Sequence, residues 1–184
     1  MSYHSGNNLI DPKLLFEKVQ LREGVHIADF GCGRTGHIVF PASKIVGERG
    51  IIYAVDILKD VLESIRRRAA IEAMHNIETI WGDLERPGGI VIAEKTLDIA
   101  FFINVLFHFN SYDTPFAEAS RILKPKGKIV VLDWIKSISG IGPQEGGLVN
   151  FDQIKSWAMY NNFVVEQDFE VGAYHRCVIL FRHT

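Results

Sequence analysis

The sequence predicts an α/β protein with a doubly wound, mostly parallel β-sheet. Short runs of apolar and β-branched residues alternate with amphipathic helical segments along the 184 residues. This alternation is typical of parallel strands joined by right-handed helical crossovers. The runs are apolar almost throughout, which indicates strands that are buried on both faces by helices.

The predicted elements follow one another without an internal repeat. The β-branched runs predict strands at residues 25–30, 51–56, 76–81, 97–103, 127–133, 163–171 and 174–182. The first helix begins at Pro12, because Asp11 can serve as its N-cap and proline suits the first helical position. Further helical patterns cover residues 37–46, 58–74, 90–94, 112–123 and 151–160. Only Gly172 and Ala173 separate the last two strands, which predicts an antiparallel hairpin.

Length and composition suit a single domain that spans residues 1–184. Residues 1–10 are polar and are expected to form a flexible N-terminal segment. The glycine-rich segment 137–150 is expected to be a loop, because its glycines and proline disfavour regular structure. Both segments are candidates to cover a ligand site.

Charge and cysteine content limit the classes of partner. The 20 Lys and Arg against 22 Asp and Glu give a net charge of -2, which offers no electrostatic footprint for nucleic acid. The two cysteines suit a reduced, cytoplasmic protein and have no metal-ligand spacing. The N-terminus lacks a signal-peptide profile, and the apolar stretch 99–109 is shorter than the roughly 20 residues of a membrane span. We therefore expect no nucleic-acid partner, membrane span or metal.

The strongest local motif is the glycine loop Gly31-x-Gly33-x-x-Gly36, which follows the first predicted strand and precedes a helix. Glycine permits positive φ and a close approach of a ligand to the backbone, and a helix N-terminus offers free N–H groups. The motif matches the dinucleotide fingerprint. Taken alone, it fits S-adenosylmethionine (SAM), a nicotinamide dinucleotide, or a tight turn without ligand.

Three carboxylates near strand ends narrow these alternatives. Asp56 ends the second strand, where a carboxylate can accept the two ribose hydroxyls of an adenosine ligand; it could instead cap the next helix. Asp29 precedes the first glycine by two residues, a position that dinucleotide sites usually keep apolar. Asp83 follows the third strand and is placed to bind an adenine amino group, or to act as an ordinary turn residue. Together the three favour SAM.

The ordered set of motifs resembles the class I SAM-dependent methyltransferases over nearly the whole chain. The set is Asp29-x-Gly-x-Gly, Asp56, Gly82-Asp83, Leu97-Asp98 with Asn104-Val-Leu, and Arg121-Ile-Leu-Lys-Pro-Lys-Gly127. It is most similar to the small branch of quinone-biosynthesis and other small-molecule methyltransferases. The resemblance implies a Rossmann-like, seven-stranded sheet in the order 3-2-1-4-5-7-6 with an antiparallel last strand. It also implies methyl transfer from SAM by in-line displacement, with S-adenosylhomocysteine as product.

The resemblance assigns cofactor-binding residues position by position. From the methionine end to the adenine end they are Asp29 and Asn104 at the methionine, the backbone of Gly31, Cys32 and Gly33 along the cofactor, Asp56 at the ribose, and Ile57, Asp83 and Leu84 at the adenine. One departure concerns the loop itself. Arg34 and Thr35 place the third glycine at position 36, one residue later than the family's usual Gly-x-Gly-x-Gly spacing.

The acceptor side is less well marked in the sequence. His108, just beyond the fourth strand, is the best candidate for a catalytic general base, although a packed or surface histidine is the plainer interpretation. Trp134, Tyr174 and His175 are candidates to line the acceptor pocket, or to be ordinary packing residues. The acceptor itself, a small molecule or a protein side chain, is not identified.

Two other functions and one assembly remain open at this stage. An NAD(P)-dependent oxidoreductase would use the same glycine spacing, but the chain lacks a catalytic Tyr-x-x-x-Lys pair. A non-catalytic SAM-binding module would have the same cofactor residues. No large insertion follows the fifth strand, so the domain must take an exposed acceptor or borrow a partner subunit, which leaves a homodimer open.

Overall fold

The computed structural model describes residues 9–138 and 140–183. In chain order its elements are α1 (Pro12–Val19), β1 (His26–Phe30), α2 (Val39–Val46), β2 (Ile51–Asp56), α3 (Lys59–Ile71), β3 (Ile77–Trp81), β4 (Leu97–Ile103), a 3-10 turn (Leu106–His108), α4 (Asp113–Ile122), β5 (Leu123–Trp134), a second 3-10 turn (Glu145–Gly147), α5 (Phe151–Tyr160), β6 (Phe163–Val171) and β7 (His175–Arg182). The N-terminal segment 1–10 was expected to be flexible. Residues 1–8 of it lie outside the described residues, and Ile10 is buried.

The strands within the described residues form one sheet in the order β3-β2-β1-β4-β5-β7-β6. β1 to β5 pair in parallel, whereas β7 pairs antiparallel with both β5 and β6. The predicted strand order and the predicted terminal hairpin are confirmed. The chain leaves β1 toward β2 and β3 and then returns to the other side with β4. A ligand crevice is expected at the carboxyl ends of strands where the strand order reverses in this way.

Two apolar clusters, one on each face of the sheet, form the core. The cluster on one face joins helices α1, α2 and α3 to the sheet and includes Phe16, Ile65 and Phe101. The other cluster joins α4 and α5 to the opposite face and includes Phe102 and Phe116. Adjacent residues of β4 thus face opposite clusters, as a pleated strand requires. The central strands β1, β4, β5 and β7 are buried on both faces, in agreement with their apolar sequences, whereas β3 and β6 at the two edges of the sheet are more exposed.

Helix α1 begins as its sequence predicts. The Asp11 carboxylate accepts a hydrogen bond from the Lys13 N–H at 2.9 Å, and Pro12 is the first helical residue. The prediction of a helix at 90–94 is wrong. Ile90 instead forms an isolated bridge with Gly82, and the carbonyls of Ile90 and Ile92 accept from the Arg121 guanidinium at 2.9 and 3.1 Å. A side chain thus satisfies carbonyls that a helix would have paired internally.

Strand β5 begins earlier than the predicted residue 127. Its first pairing joins Leu97 to Leu123 and the next joins Ile99 to Lys128, so extra residues of β5 bulge between the two pairs. Lys126 takes a positive φ of 64° in this bulge. The residues before the predicted start of β5 therefore form an irregular first part of the strand. No helix in the described ranges has the length and hydrophobicity needed to cross a membrane.

Candidate functional site

Asp29 lies at the carboxyl end of β1, between Ala54 of β2 and Phe101 of β4. It is only 2% exposed, and its carboxylate makes no hydrogen bond with any residue that the structure describes. Burial, and to a smaller extent the nearby charge of Asp56, raises the pKa of Asp29 to about 7. A buried carboxylate without a partner suits a cationic ligand group, which would favour its ionised form.

The glycine loop turns directly after β1. Gly31, Gly33 and Gly36 have φ of 74°, 62° and 56°, a region that L side chains rarely adopt. A Cβ on Gly31 would stand 2.5 Å from the Val105 side chain, whereas a Cβ on Gly33 would meet nothing within 4 Å. Gly31 is therefore required for packing against the segment after β4. Gly33 leaves open space at the crevice, where a ligand can approach the backbone.

Asp56 connects three parts of the site. One carboxylate oxygen accepts from the Gly33 N–H at 3.2 Å and the other from the Leu58 N–H at 2.9 Å. The second of these bonds forms the turn before α3 and does not cap the helix, because Leu58 is the N-cap residue and its side chain forms no capping hydrogen bond. Each carboxylate oxygen has a further lone pair available. Asp56 can thus hold the glycine loop and still accept ribose hydroxyls.

Exposed apolar side chains surround Asp56 at the carboxyl ends of β2 and β3. Ile57 is 54% exposed and Trp81 is 47% exposed. The Trp81 indole N–H donates to the Ile57 carbonyl at 2.9 Å, which fixes the two residues together. Trp81 was not predicted from the sequence, although its register pairing with Asp56 follows once β2 and β3 are aligned. These surfaces suit a flat, apolar ligand face.

Asp83 and Leu84 directly follow Gly82 after the end of β3. The Asp83 carboxylate accepts from the Glu85 N–H at 3.0 Å, as a turn residue does. Leu84 is buried in the cluster shared by α4 and α5. Cys32 is also buried, and its burial together with the charges of Asp29 and Asp56 raises the pKa of its thiol. The Cys32 side chain is therefore a buried thiol and not a reactive thiolate.

Arg34 and Thr35, the pair that lengthens the glycine loop by one residue, form their contacts with helix α3. The Arg34 guanidinium forms an ion pair with Asp60 and donates to the Ser64 hydroxyl at 3.1 Å. The Thr35 carbonyl accepts from the Arg68 guanidinium at 3.0 Å. Arg34 and Thr35 therefore bond to the helix and leave Gly31 and Gly33 in their expected places at the end of β1.

The segment after β4 is held by a carboxylate that sequence reasoning missed. Asp133 is fully buried and accepts from the N–H groups of Val105 and Leu106 at 3.1 and 2.9 Å, and from that of Trp134 at 2.9 Å. Burial raises the pKa of Asp133 to about 7, although these hydrogen bonds oppose the shift. Asn104, with a positive φ of 52°, is the residue at which β4 turns into this segment. Asp133 thus positions the segment that carries Asn104 and His108.

His108 ends the 3-10 turn that follows Asn104. It is exposed, and its ring stacks on that of Phe107 with the ring centroids 4.0 Å apart. Partial burial of the ring lowers the pKa of His108 from its usual value, which favours the neutral imidazole, the form that can accept a proton. The other acceptor-side candidates, Trp134 and His175, are buried against each other, and the Tyr174 carbonyl accepts from the Ile135 N–H at 2.8 Å.

Two surface cavities in the described part of the chain lie away from this group of residues. A cavity of about 370 Å³ lies between α4 and α5 and is lined in part by Trp157 and Arg182. Another, of about 530 Å³, lies beside α3 and β3 and is lined in part by Arg66 and Thr79. Neither contains a predicted site residue. The strand-end crevice remains the stronger candidate because it joins a buried charge, open backbone and exposed apolar surface.

The chain is similar to known methyltransferases in sequence. Residues 28–131 match a family described as a methyltransferase domain. Nocamycin O-methyltransferase from Saccharothrix syringae is 28% identical over 119 residues, which are 62% of this chain and 40% of that protein. A ubiquinone/menaquinone biosynthesis C-methyltransferase from Blochmanniella pennsylvanica is 27% identical over 103 residues, or 55% of this chain and 39% of that protein. The chain thus spans about two-fifths of the length of these curated relatives.

The fold is also that of a solved methyltransferase. A SAM-dependent methyltransferase from Aquifex aeolicus superimposes with a TM-score of 0.84 over 97% of this chain and 93% of that one. The two sequences are 22% identical, so this likeness establishes the shared fold.

Proposed function

The chain belongs to the methyltransferase domain family, and we propose that it transfers a methyl group from SAM to an acceptor. The acceptor is a small molecule or a protein side chain. When bound, SAM supplies a methyl group that is activated by its sulfonium. In the proposed in-line displacement, the acceptor atom bonds to the methyl carbon as the S–CH₃ bond breaks, and S-adenosylhomocysteine leaves.

The Asp29 carboxylate is the observation that carries this proposal. SAM presents an ammonium group and a sulfonium, and Asp29 is a buried carboxylate without a hydrogen-bond partner in the described chain. It lies two residues before Gly31, and Gly33 leaves open space in the same loop. A nicotinamide dinucleotide would bring its negatively charged pyrophosphate to this loop, where a buried carboxylate would repel it.

The adenosine end is assigned to the neighbouring strand ends. Asp56 is proposed to accept the ribose hydroxyls through its remaining lone pairs. Ile57 would pack on the adenine, with Trp81 supporting the Ile57 backbone from the side. Asp83 would accept the adenine amino group while it keeps its turn bond to Glu85.

The residues after β4 are assigned to the transfer step. Asn104 is proposed to lie beneath the methionine end, and Asp133 holds its segment in place. His108 is the proposed general base, since a neutral imidazole can take the acceptor's proton. Holding the reactants in line can contribute about 7–11 kcal/mol of the barrier reduction.

The proposal is tested by ligand binding to the full chain. We expect SAM and S-adenosylhomocysteine, but not NAD, to bind in calorimetry and to raise the melting temperature. Asp56→Ala should weaken binding of S-adenosylhomocysteine on the order of 100-fold, because charge-assisted hydrogen bonds are lost. Asp152→Ala is the matched control, since Asp152 is an exposed residue at the start of α5.

Two outcomes would contradict the proposal. Stabilisation by NAD alone would favour the oxidoreductase, and an unchanged affinity in Asp56→Ala would show that the ribose lies elsewhere. Turnover is tested with methyl-labelled SAM and a panel of metabolites and lysate proteins. Binding of SAM without turnover on any of them would leave a SAM-binding module.

A cytoplasmic location, the lack of a nucleic-acid partner and a homodimer stay predictions.

A further inference from the structure

Trp134 and His175 form a buried aromatic pair at the carboxyl end of β5, on the same side of the sheet as the candidate site. Trp134 ends β5 and His175 begins β7, and the two residues are partners in the strand register. Their ring centroids are 4.2 Å apart. Trp134 is 0% exposed and His175 is 1% exposed. The pair is therefore a fixed part of the fold.

One ring nitrogen of each residue in this pair forms no hydrogen bond with the described protein. The Trp134 Nε1 and the His175 Nε2 are buried and have no hydrogen-bond partner among the described residues. The same is true of the hydroxyl of Ser137, three residues after Trp134. Buried polar groups are nearly always hydrogen-bonded because an unpaired group is unfavourable. Several such atoms close together in the sequence and the sheet point to a ligand.

The pair lies next to the proposed methyl-transfer residues. Asp133, the residue before Trp134, holds the segment that begins at Asn104. The Asn104 N–H also donates to the Leu132 carbonyl of β5 at 2.9 Å. Since neighbouring strands are about 4.8 Å apart, a small acceptor anchored at the end of β5 and β7 would lie close to Asn104, the residue proposed to lie beneath the methionine end.

The loop after β5 covers the pair with backbone. Gly142 has a φ of 75°, and a Cβ at this position would stand 2.7 Å from the Trp134 indole. The loop therefore reaches the indole only because residue 142 is glycine. A ligand that uses the indole and imidazole nitrogens has to enter between this loop and the indole, where the loop would enclose it.

We propose that Trp134 and His175 anchor the methyl acceptor, and that this acceptor is an uncharged small molecule with a hydroxyl or phenol group. The inference rests on the proposed function. The indole is only a donor, while the imidazole can donate or accept according to its tautomer. A hydroxyl oxygen accepts from the indole and pairs with either tautomer.

Charged acceptors match this pair less well. An ammonium group has no lone pair for the indole N–H. Burial lowers the pKa of His175 to about 4, so the imidazole is uncharged at neutral pH and supplies no positive charge to a carboxylate. Asp133, the neighbouring carboxylate, is already engaged with backbone N–H groups. An enclosed site also favours a small molecule over a protein side chain.

The test uses the full chain, saturated with S-adenosylhomocysteine and labelled at its indole nitrogens, at pH 7.5. Phenol, benzoate and benzylamine are titrated while the indole N–H resonances are recorded, and Trp134→Phe assigns the Trp134 signal. We expect phenol to shift that signal saturably, with Trp81 and Trp157 unaffected as internal controls. His175→Phe keeps an aromatic ring and should weaken phenol binding on the order of tenfold, and His175→Gln should restore part of the affinity.

Several results would overturn the inference. These are a Trp134 signal that phenol does not move, an equal affinity for benzoate or benzylamine, and an unchanged phenol affinity in His175→Phe. The wild-type titrations decide the question even when a variant fails to fold. Binding of S-adenosylhomocysteine, measured in the same samples, distinguishes failure of this inference from failure of the proposed function. If it binds and phenol does not, only this inference fails; if it does not bind, the proposed function fails.

Discussion

Asp29 and Asp56 place two carboxylates at the ends of adjacent strands, and their environments differ. Asp29 is buried, and its pKa is raised to about 7 by burial and by the charge of Asp56. Asp56 accepts two backbone hydrogen bonds. In the unfolded chain an aspartate ionises near 3.8. Between pH 4 and 7 the folded protein therefore holds a proton that the unfolded chain has lost, so its stability falls as the pH rises through this window.

Asp29→Asn tests this account at the level of one residue. At pH 8 the free energy of unfolding of the ligand-free protein should rise by about 1–4 kcal/mol, because the unfavourable buried charge is removed. The gain should shrink as the pH falls from 7 toward 4, because the folded wild type keeps this carboxyl protonated, and it should vanish below about 3.8, where the carboxyl is protonated in both states. S-adenosylhomocysteine should bind the wild type more tightly as the pH rises through about 7, and the variant weakly at every pH. Urea unfolding and calorimetry at several pH values measure both effects.

A stability gain that does not depend on pH would contradict this explanation, since it would point to packing instead of charge. Equal affinity of wild type and variant for S-adenosylhomocysteine would mean that Asp29 does not face the ligand. Asp29 would then destabilise the free protein without any contribution to binding.

The segment between β4 and α4 depends on Asp133 of the next strand. Three backbone N–H groups converge on this carboxylate in the interior, where no solvent can replace it. The geometry of Asn104 and His108 is thus determined by a residue almost 30 positions later in the chain. An element that carries proposed cofactor and catalytic residues is held by a different element of the sheet.

Asp133→Ala should lower the free energy of unfolding by about 2–4 kcal/mol, since it leaves buried N–H groups without an acceptor. Binding of S-adenosylhomocysteine should weaken as well, because the segment that carries Asn104 loses its support. The exposed Asp152→Ala variant should change stability by no more than about 0.5 kcal/mol. Urea denaturation of the three proteins makes the comparison. If Asp133→Ala were as stable as the control, the N–H groups would have to find other acceptors.

Element prediction succeeded where local patterns and the fold agree. The Asp11-Pro12 start of α1 and the Gly172-Ala173 turn are read directly from neighbouring residues. The 90–94 segment failed because its carbonyls pair with Arg121, about 30 residues away. No local pattern reveals such a distant partner. The start of β5 was misplaced for a similar reason, since a bulge depends on register with β4.

The residues of the candidate site likewise divide into those that the sequence could predict and those that it could not. The glycine loop and Asp56 could be predicted because their residue types and spacing are tied to the end of a strand. Asp133 and Trp81 could not, because neither residue is marked by a position relative to the glycine loop, as Asp56 is at the end of the next strand. Their importance arises from neighbours across the sheet, which the chain order alone does not identify.

At the level of the whole molecule, one sheet separates two apolar clusters, and the site lies where its strand order reverses. Strand β4 contributes Phe101 to one cluster and Phe102 to the other. Loss of β4 would therefore expose both clusters at once. The described structure is expected to unfold as one cooperative unit, which also suits the predicted single domain.

Unfolding in the presence of ligand tests whether the described structure unfolds as one cooperative unit. S-adenosylhomocysteine at 100 times its dissociation constant should raise the free energy of unfolding by about 2.7 kcal/mol. Circular dichroism and tryptophan fluorescence should report one coincident transition, because Trp81 and Trp157 lie toward opposite ends of the sheet. Asp56→Ala at the same ligand concentration should show almost none of the increase. If the ligand stabilised only one of two separate transitions, the clusters would be independent, and the sheet would not transmit binding energy from β1 and β2 to β6.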